Sequence, residues 1–394
     1  MRIHRLSQAL INKIAAGEVI ERPASVVKEL MENAVDAGAT RIHVAVEAGG
    51  ADLIRITDNG CGIVADELEL ALAAHATSKI QDADDLFRVG TLGFRGEALA
   101  SIAEVSQLAL RSRTAQQPEG AQIEAAGGRL SDVGPCGVPV GTTVEVRNLF
   151  FNMPVRRKGL RSATTELGHV KETFTRIALA LPQIDFALTH NDRTVVDLSG
   201  TARWRDRIST FFGRELAENL IWVESTDGDV QLSGYVAHPS HSRANNRMQY
   251  FFLNCRYIRD RSLQHALGEA YRGLLLSGRW PIAFLNLAMP PEAVDVNVHP
   301  TKIEVRFHNA GQHYGQLLST LRTKFLSTDL HVRVRGKSDD PTGAHDDDQA
   351  AQLREELVGW AKGKVAQWET DAAADEADVQ GTFDMSGPAG LDER

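Results

Sequence analysis

Apolar residues along the first 330 or so positions follow two rhythms. Segments with helical spacing at 24–37, 65–75, 96–104 and 164–181 alternate with strands in which every second residue is apolar, such as "RIHVAVE", "LIRITD" and "TTVEVRNL". The strands at 41–58 are joined by "AGGAD", which predicts a hairpin and hence a sheet that is at least partly antiparallel. A second set of strands, "VQLSGYVAH", "QYFFLNCRYI", "IAFLNLAM", "AVDVNVH" and "IEVRFH", fills 230–308, with helical patterns at 262–276 and 311–326. At the N-terminus Ile3, Leu6, Leu10 and Ile14 recur at helical spacing, with Ser7 able to cap the helix and Gly17 to end it. The pattern predicts an α+β chain with one domain over 1–208, a smaller one over 209–332 and a linker over 333–394.

Charge sharpens that division. The formal net charge is -9, but 337–394 holds 15 acidic and 5 basic residues, so the rest of the chain is close to neutral. Runs such as "DDPTGAHDDDQ" and "DAAADEAD" cannot bury enough apolar surface to order themselves, which predicts an acidic disordered linker with room for a domain beyond Arg394. Three scattered cysteines, Cys61, Cys136 and Cys255, form no C-x-x-C pair, so the expectation is a reducing compartment without a disulfide framework or zinc site. No apolar run approaches the roughly 20 residues of a membrane span, which makes a cytoplasmic protein the default.

The candidate chemistry begins in "VVKELMENAVDAGA". Pro23 suits a first helical position, and Val27, Leu30, Met31, Ala34 and Ala37 make an apolar stripe. Glu29 and Asn33, four apart, stack on a neighbouring face with Asp36 close by, and Lys28 is the one basic residue there. A solvated face is the competing reading for an isolated helix. After the strand "LIRIT" comes "DNGCG", a D-x-G-x-G loop whose glycines permit close approach of a ligand and whose aspartate can accept from an exocyclic amine. An ordinary tight turn is the alternative. Gly90, Gly93 and Gly96 of "GTLGFRGEALASIAEV" then lead into a helix near Glu97, an arrangement that offers backbone N–H groups and a helix dipole to phosphate. Its spacing fits neither a P-loop nor a Rossmann fingerprint.

E-x-x-x-N on a helix, then D-x-G-x-G, then a glycine-rich loop, then "GTTVEV" is an order that resembles the GHKL ATPase superfamily. "IAAGEVIERPASVVKELMENAVDAGAT", "DNGCGI", "HATSKI", "GTLGFRGEALASI" and "VDVNVHPTKIEVRF" are similar, almost letter for letter, to the MutL DNA mismatch-repair family over residues 1 to about 330. The resemblance implies a Bergerat-type α/β sandwich followed by a domain like the second domain of ribosomal protein S5. It implies ATP and Mg²⁺ as cofactors, Glu29 as the general base, and Asn33 as a Mg²⁺ ligand. Asp58 would read adenine with Gly62 and Thr143 beside the base. Thr77 and Lys79 would contact the ligand from a lid, from which Gly93, Arg95 and Gly96 would present donors to the phosphates, and Lys302 would reach the γ-phosphate from the second domain. An exposed charge on a mobile loop is the competing reading for Lys79 and Arg95. Glu32 and Asp36 are left between tuning the local field and simple solvation. "RNLFFNMPVRRKGL" departs from the family's signature at Val155, where alanine is usual, and Gly159, where an aromatic is usual.

Seven arginines lie in 243–279 with Tyr250, Phe251, Phe252 and Tyr257 interleaved, a composition that fits phosphate-backbone binding. Internal ion pairs and core aromatics are the competing reading. Family likeness selects Arg259 and Arg261 as DNA contacts, non-specific in sequence. It also implies a nucleotide-dependent homodimer that clamps DNA, a mismatch-sensor protein and a downstream nuclease or helicase as partners, and slow hydrolysis as a reset. No D-Q-H-A-x-x-E-R endonuclease motif occurs in the sequence. A nucleotide-gated scaffold that does not hydrolyse ATP is the rival reading. His299, and the H-x-x-H of His238 and His241, are expected to be structural or exposed.

Overall fold

The computed structural model describes residues 8–79, 92–93, 96–295 and 303–328. In chain order its elements begin α1 (Gln8–Val19), α2 (Pro23–Asp36), β1 (Arg41–Glu47), β2 (Leu53–Asp58), α3 (Leu68–Ala71), α4 (Ala98–Val105), β3 (Gln107–Arg113), β4 (Gly120–Ala126), β5 (Arg129–Leu130), β6 (Gly134–Cys136) and β7 (Gly141–Arg147). There follow α5 (Pro154–Gly159), α6 (Ala163–Ala180), β8 (Asp185–His190), β9 (Arg193–Leu198), α7 (Trp204–Phe212), α8 (Arg214–Glu218), β10 (Leu220–Asp227), β11 (Val230–Ala237) and β12 (Ser242–Arg243). The last are β13 (Gln249–Leu253), β14 (Arg256–Ile258), α9 (Arg261–Ala270), β15 (Trp280–Pro281), β16 (Ala283–Ala288), β17 (Val294–Asp295), β18 (Arg306–Phe307) and α10 (Ala310–Ser327).

Contacts divide the chain into two units. The first comprises Met1–Leu220, Tyr250–Arg259 and Met289–Val305, and the second Ile221–Gln249, Asp260–Ala288 and Arg306–Arg394. Two short segments from the later part of the chain cluster with the first unit. In the second unit β11 and β16 pair antiparallel, Leu232 opposite Leu287, while α9 and α10 pack on each other.

The first unit is built on a nine-stranded sheet in the order β5-β4-β3-β7-β2-β1-β8-β9, with β6 alongside β4. The predicted hairpin is present as β1 and β2, Val44 opposite Ile56, and β1 pairs in parallel with β8. Helix α2 starts at Pro23 after an extended Arg22 and buries Val26, Val27, Leu30, Met31 and Ala34. These join Val170, Phe174 and Ala178 of α6 and the inward residues Ile42, Val44, Ile54 and Ile56 of the hairpin in one core. The apolar stripe thus fixes which way α2 is turned.

Several expectations are corrected. The helix predicted at 65–75 is one turn of 3-10 helix, Ala65–Glu67, followed by the four residues of α3. "QYFFLNCRYI" is not one strand but the hairpin β13–β14, because Asn254 and Cys255 both take positive φ, 48° and 66°, as a two-residue hairpin turn requires. Helix α1 runs past Gly17 to Val19, and Ile14 is exposed while Ala16 and Ile20 are buried. Arg156 of α5 donates to the carbonyls of Gly17 and Ile20 and so fastens this end of α1. Ile3, Leu6, Ser7 and His299 lie outside the described residues, as does the linker over 333–394. Around Gly159 a Cβ would meet no atom within 4 Å, so the missing aromatic leaves no crowded site behind.

One buried cation ties the edge of this unit together. Arg207 of α7 is 1% exposed and donates to the carbonyls of Pro182 (2.7 Å), Ile184 (2.8 Å), Ser199 (3.1 Å) and Ala178 (3.4 Å). Its guanidinium also lies 5.7 Å from the centre of the Phe186 ring. Fork geometry lets one side chain serve carbonyls from α6, the turn into β8 and the end of β9, which the point charge of a lysine cannot do. Arg207→Met should therefore cost about 3 kcal/mol or more, because it strands several buried acceptors at once. Urea unfolding of the two chains checks this, and Arg207→Lys should recover less than half of the loss.

Candidate active site

Helix α2, strand β2 and strand β7 enclose a cavity of about 770 Å³. Glu29, Asn33 and Asp36 enter it from α2, one turn apart, so the face beside the apolar stripe is not solvated. Ile56 and Asp58 enter from β2, and Thr142 and Val144 from β7. The register explains this set: Asp58 stands opposite Thr142 and Ile56 opposite Val144, so all four share one face of the pleat. Gly62, Thr77, Lys79, Gly93 and Gly96 complete the wall, with Glu97 and Ala98 at the start of α4.

Two of these glycines have no substitute. Gly62 has φ +75° and a Cβ there would lie 2.2 Å from the Arg113 carbonyl oxygen; Gly96 has φ +63° and a Cβ would lie 2.3 Å from that of Ala76. Both let main chain pass close to main chain at the rim of the cavity.

The acidic side chains of α2 are paired. Lys28 bridges Glu29 Oε1 and Glu32 Oε2, each at 2.9 Å. Burial opposes its charge, but the carboxylates of Glu32 and Glu29 together outweigh that penalty and raise its pKa. Glu32, 5% exposed, is therefore the buried counter-charge of Lys28 and not a solvated residue. Asp36 accepts from Lys79 Nζ (2.5 Å) and from the N–H groups of Leu92 (2.9 Å) and Gly93 (3.0 Å), while Lys79 Nζ also donates to Asn33 Oδ1 (2.9 Å). Burial pushes the Asp58 carboxyl above the ordinary carboxylate range, and the N–H groups of Gly60 and Thr142 only partly offset it.

Eight of the residues singled out in the sequence thus meet in one cavity: Glu29, Asn33, Asp58, Gly62, Thr77, Lys79, Gly93 and Gly96. Thr143 does not. Its hydroxyl donates to Thr57 Oγ1 (3.2 Å) on the other face of the sheet, and Thr142 takes the place beside Asp58. Arg95 and Lys302 lie outside the described residues. Thr142 was missed; strand parity from Asp58 is the signal that would have found it.

The arginine-rich stretch separates into distinct roles. Arg256 is buried and donates to the Leu92 carbonyl (3.1 Å), Arg272 pairs with Glu269 (2.6 Å), and Arg279 donates to Ser242 Oγ (3.0 Å). Tyr250, Phe251 and Phe252 are core. Arg259 and Arg261 are both exposed, and a hydrogen bond from Arg259 Nε to the Tyr257 hydroxyl (3.3 Å) raises the Arg259 pKa. His238 and His241 each bond Ser240 Oγ through Nδ1, at 2.8 and 3.0 Å.

The family description "Histidine kinase-, DNA gyrase B-, and HSP90-like ATPase" matches residues 20–126, and "DNA mismatch repair protein, C-terminal domain" matches residues 208–326. The chain is 46% identical over 346 residues to the DNA mismatch repair protein MutL of Histophilus somni, covering 87% of this chain and 56% of the relative. It is 51% identical over 314 residues to that of Mannheimia succiniciproducens, covering 79% and 50%. The chain thus spans about half the length of these curated relatives. Among solved structures, the Aquifex aeolicus MutL ATPase domain complexed with ADP superimposes with a TM-score of 0.54 at 32% identity, covering 69% of this chain and 94% of that one. The N-terminal domain of a DNA repair protein gives 0.70 at 26% identity, covering 82% and 99%. With its cavity residues in their motifs and these matches on both sides of residue 208, the chain belongs to the MutL DNA mismatch-repair family.

Proposed function

We propose that this chain binds ATP in the α2–β2–β7 cavity and hydrolyses it slowly, and that the bound nucleotide drives pairing of two copies into a clamp on DNA that couples mismatch recognition to downstream repair enzymes. The observation that carries the reading is the convergence of Glu29, Asn33 and Asp58 on one cavity. Asp58 accepts from the adenine amine, since an ionised carboxylate has oxygen lone pairs for it. Glu29 takes the proton of the attacking water, whose oxygen forms the new bond to the γ-phosphorus as ADP leaves. Lys28, on Glu29 Oε1, orients that carboxylate. The donor set fits Mg²⁺: Asn33 Oδ1 is a hard amide oxygen inside the cavity and would hold it together with the phosphates. The ion supplies charge neutralisation on the phosphate oxygens.

Exposed Arg259 and Arg261 are proposed as contacts to the DNA backbone, each on its own unit. Binding of this kind carries no base readout and weakens steeply with salt. Lys302 and Arg95 are proposed phosphate contacts by their motifs alone. A mismatch-sensor protein, and a nuclease or helicase that acts after it, are the partners this role requires. Among the described residues no helix is long and apolar enough to cross a membrane.

Hydrolysis measured at several protein concentrations tests the central claim. The rate is expected to rise faster than linearly with concentration, and Glu29→Ala should lower it by about 10²–10⁴-fold, the usual share of a general base, while ADP still binds. Binding without hydrolysis in the unaltered chain favours the scaffold reading instead.

Asp58 gives a separate prediction with a definite sign. Its folded-state pKa is raised above the unfolded value, so the folded chain holds the proton more tightly and the ionised group costs stability once pH rises through the raised pKa. Asp58→Asn should therefore melt at a higher temperature than the unaltered chain at neutral pH. The gap should close on acidification below the ordinary carboxylate range. ADP affinity of the variant should be lost at every pH, and calorimetric melts with and without ADP read both effects.

A further inference from the structure

Asp36 accepts from three donors in the cavity, and the chemistry of hydrolysis does not call on it. Oδ1 takes the Leu92 N–H, and Oδ2 takes both the Gly93 N–H and the Lys79 ammonium. Its side chain is 7% exposed and that of Lys79 20%, so these are charge-assisted bonds shielded from water. Two of the three donors, Lys79 and the Gly93 N–H, are groups that the nucleotide's phosphates need. A carboxylate and a phosphate are both oxyanions and cannot take the same N–H at once.

We infer that Asp36 is a positioning residue of the nucleotide site that acts as a built-in competitor of the phosphates: it gathers their donors and surrenders them when a nucleotide enters. The inference rests on the nucleotide reading above. Asp36 does two opposing things. It orders Lys79 and the Leu92–Gly93 backbone in the geometry of an oxyanion site, which favours binding by lowering the entropy still to be lost. It also holds those donors with full charge–charge strength and sets a negative charge beside a polyanion in a poorly hydrated wall, which opposes binding. The second effect dominates, because ordering concerns two backbone residues and one side chain, whereas exchange breaks two charge-assisted bonds to an ion. Lys79 adds a further consequence. Its ammonium lies on Asn33 Oδ1, the oxygen proposed for the metal, so movement of Lys79 from Asn33 to phosphate frees that oxygen in the same step.

Calorimetric titration with ADP in metal-free buffer tests this on the full chain. Asp36→Asn retains one acceptor oxygen for the backbone N–H groups but removes the charge, and it is expected to lower the ADP Kd by about tenfold. Unchanged or weaker ADP binding by a folded Asp36→Asn chain overturns the inference and makes Asp36 a scaffold only. Failure of ADP to bind the unaltered chain overturns the nucleotide reading itself, a distinguishable result. Hydrogen exchange on the unaltered protein covers the case in which the variant does not fold. The Leu92 and Gly93 N–H groups should be protected before ADP is added, and exchange at the rate of a free peptide would overturn the inference.

Discussion

The seating of one helix decides the rest. Helix α2 presses Val26, Val27, Leu30, Met31 and Ala34 into the core shared with α6 and the β1–β2 hairpin. Interiors packed like organic crystals resist rotation of such a helix, since a small turn would open voids along its whole length. Glu29, Asn33 and Asp36 are rigidly indexed to those apolar residues by 3.6-residue geometry. The core therefore aims the chemistry, and a defect under Leu30 or Met31 would be felt at the carboxylate of Glu29.

What is aimed into the cavity is more charge than a packed interior tolerates unaided. On α2 the structure manages it by pairing. Lys28 is wedged between two carboxylates of its own helix, and Asp36 is surrounded by an ammonium and two backbone donors. Each arrangement neutralises buried charge with groups of the chain itself. On the reading proposed above, binding would be an exchange of partners inside a prepared site, with less desolvation to overcome than the burial of new charges would impose.

Much of this was legible in the sequence, and the residues show why. Glu29 and Asn33 are four apart on a periodic helix, Asp58 and Gly62 sit in one tight loop, and the hairpin at 41–58 is local, so short-range rules place them. Thr143 fails because facing on a strand depends on pairing with a distant partner: a shift of one residue in the β2–β7 register reverses every side chain, and the register puts Thr142, not Thr143, opposite Asp58. The turn at Asn254 and Cys255 was hidden by an unusual second residue, since cysteine rarely accepts a positive φ and masks the hairpin signal that asparagine gives. Asp36 was visible as a residue but not as a hub, because Lys79, Leu92 and Gly93 come to it from more than 40 positions away.

Asp58 shows why such a site is kept in spite of its cost. A carboxyl held above its usual range by burial destabilises the folded chain at neutral pH, and an asparagine in its place would relieve that penalty. The fold does not remove the penalty but limits it, through the N–H groups of Gly60 and Thr142, which come from the loop and the strand that the D-x-G-x-G turn and the β2–β7 register bring together. Those two donors are enough to keep an ionisable acceptor in place and too few to satisfy it fully. On the proposed reading, an exocyclic amine would complete this partly satisfied acceptor, so the cost of the site and its selectivity for such a ligand would have the same physical origin.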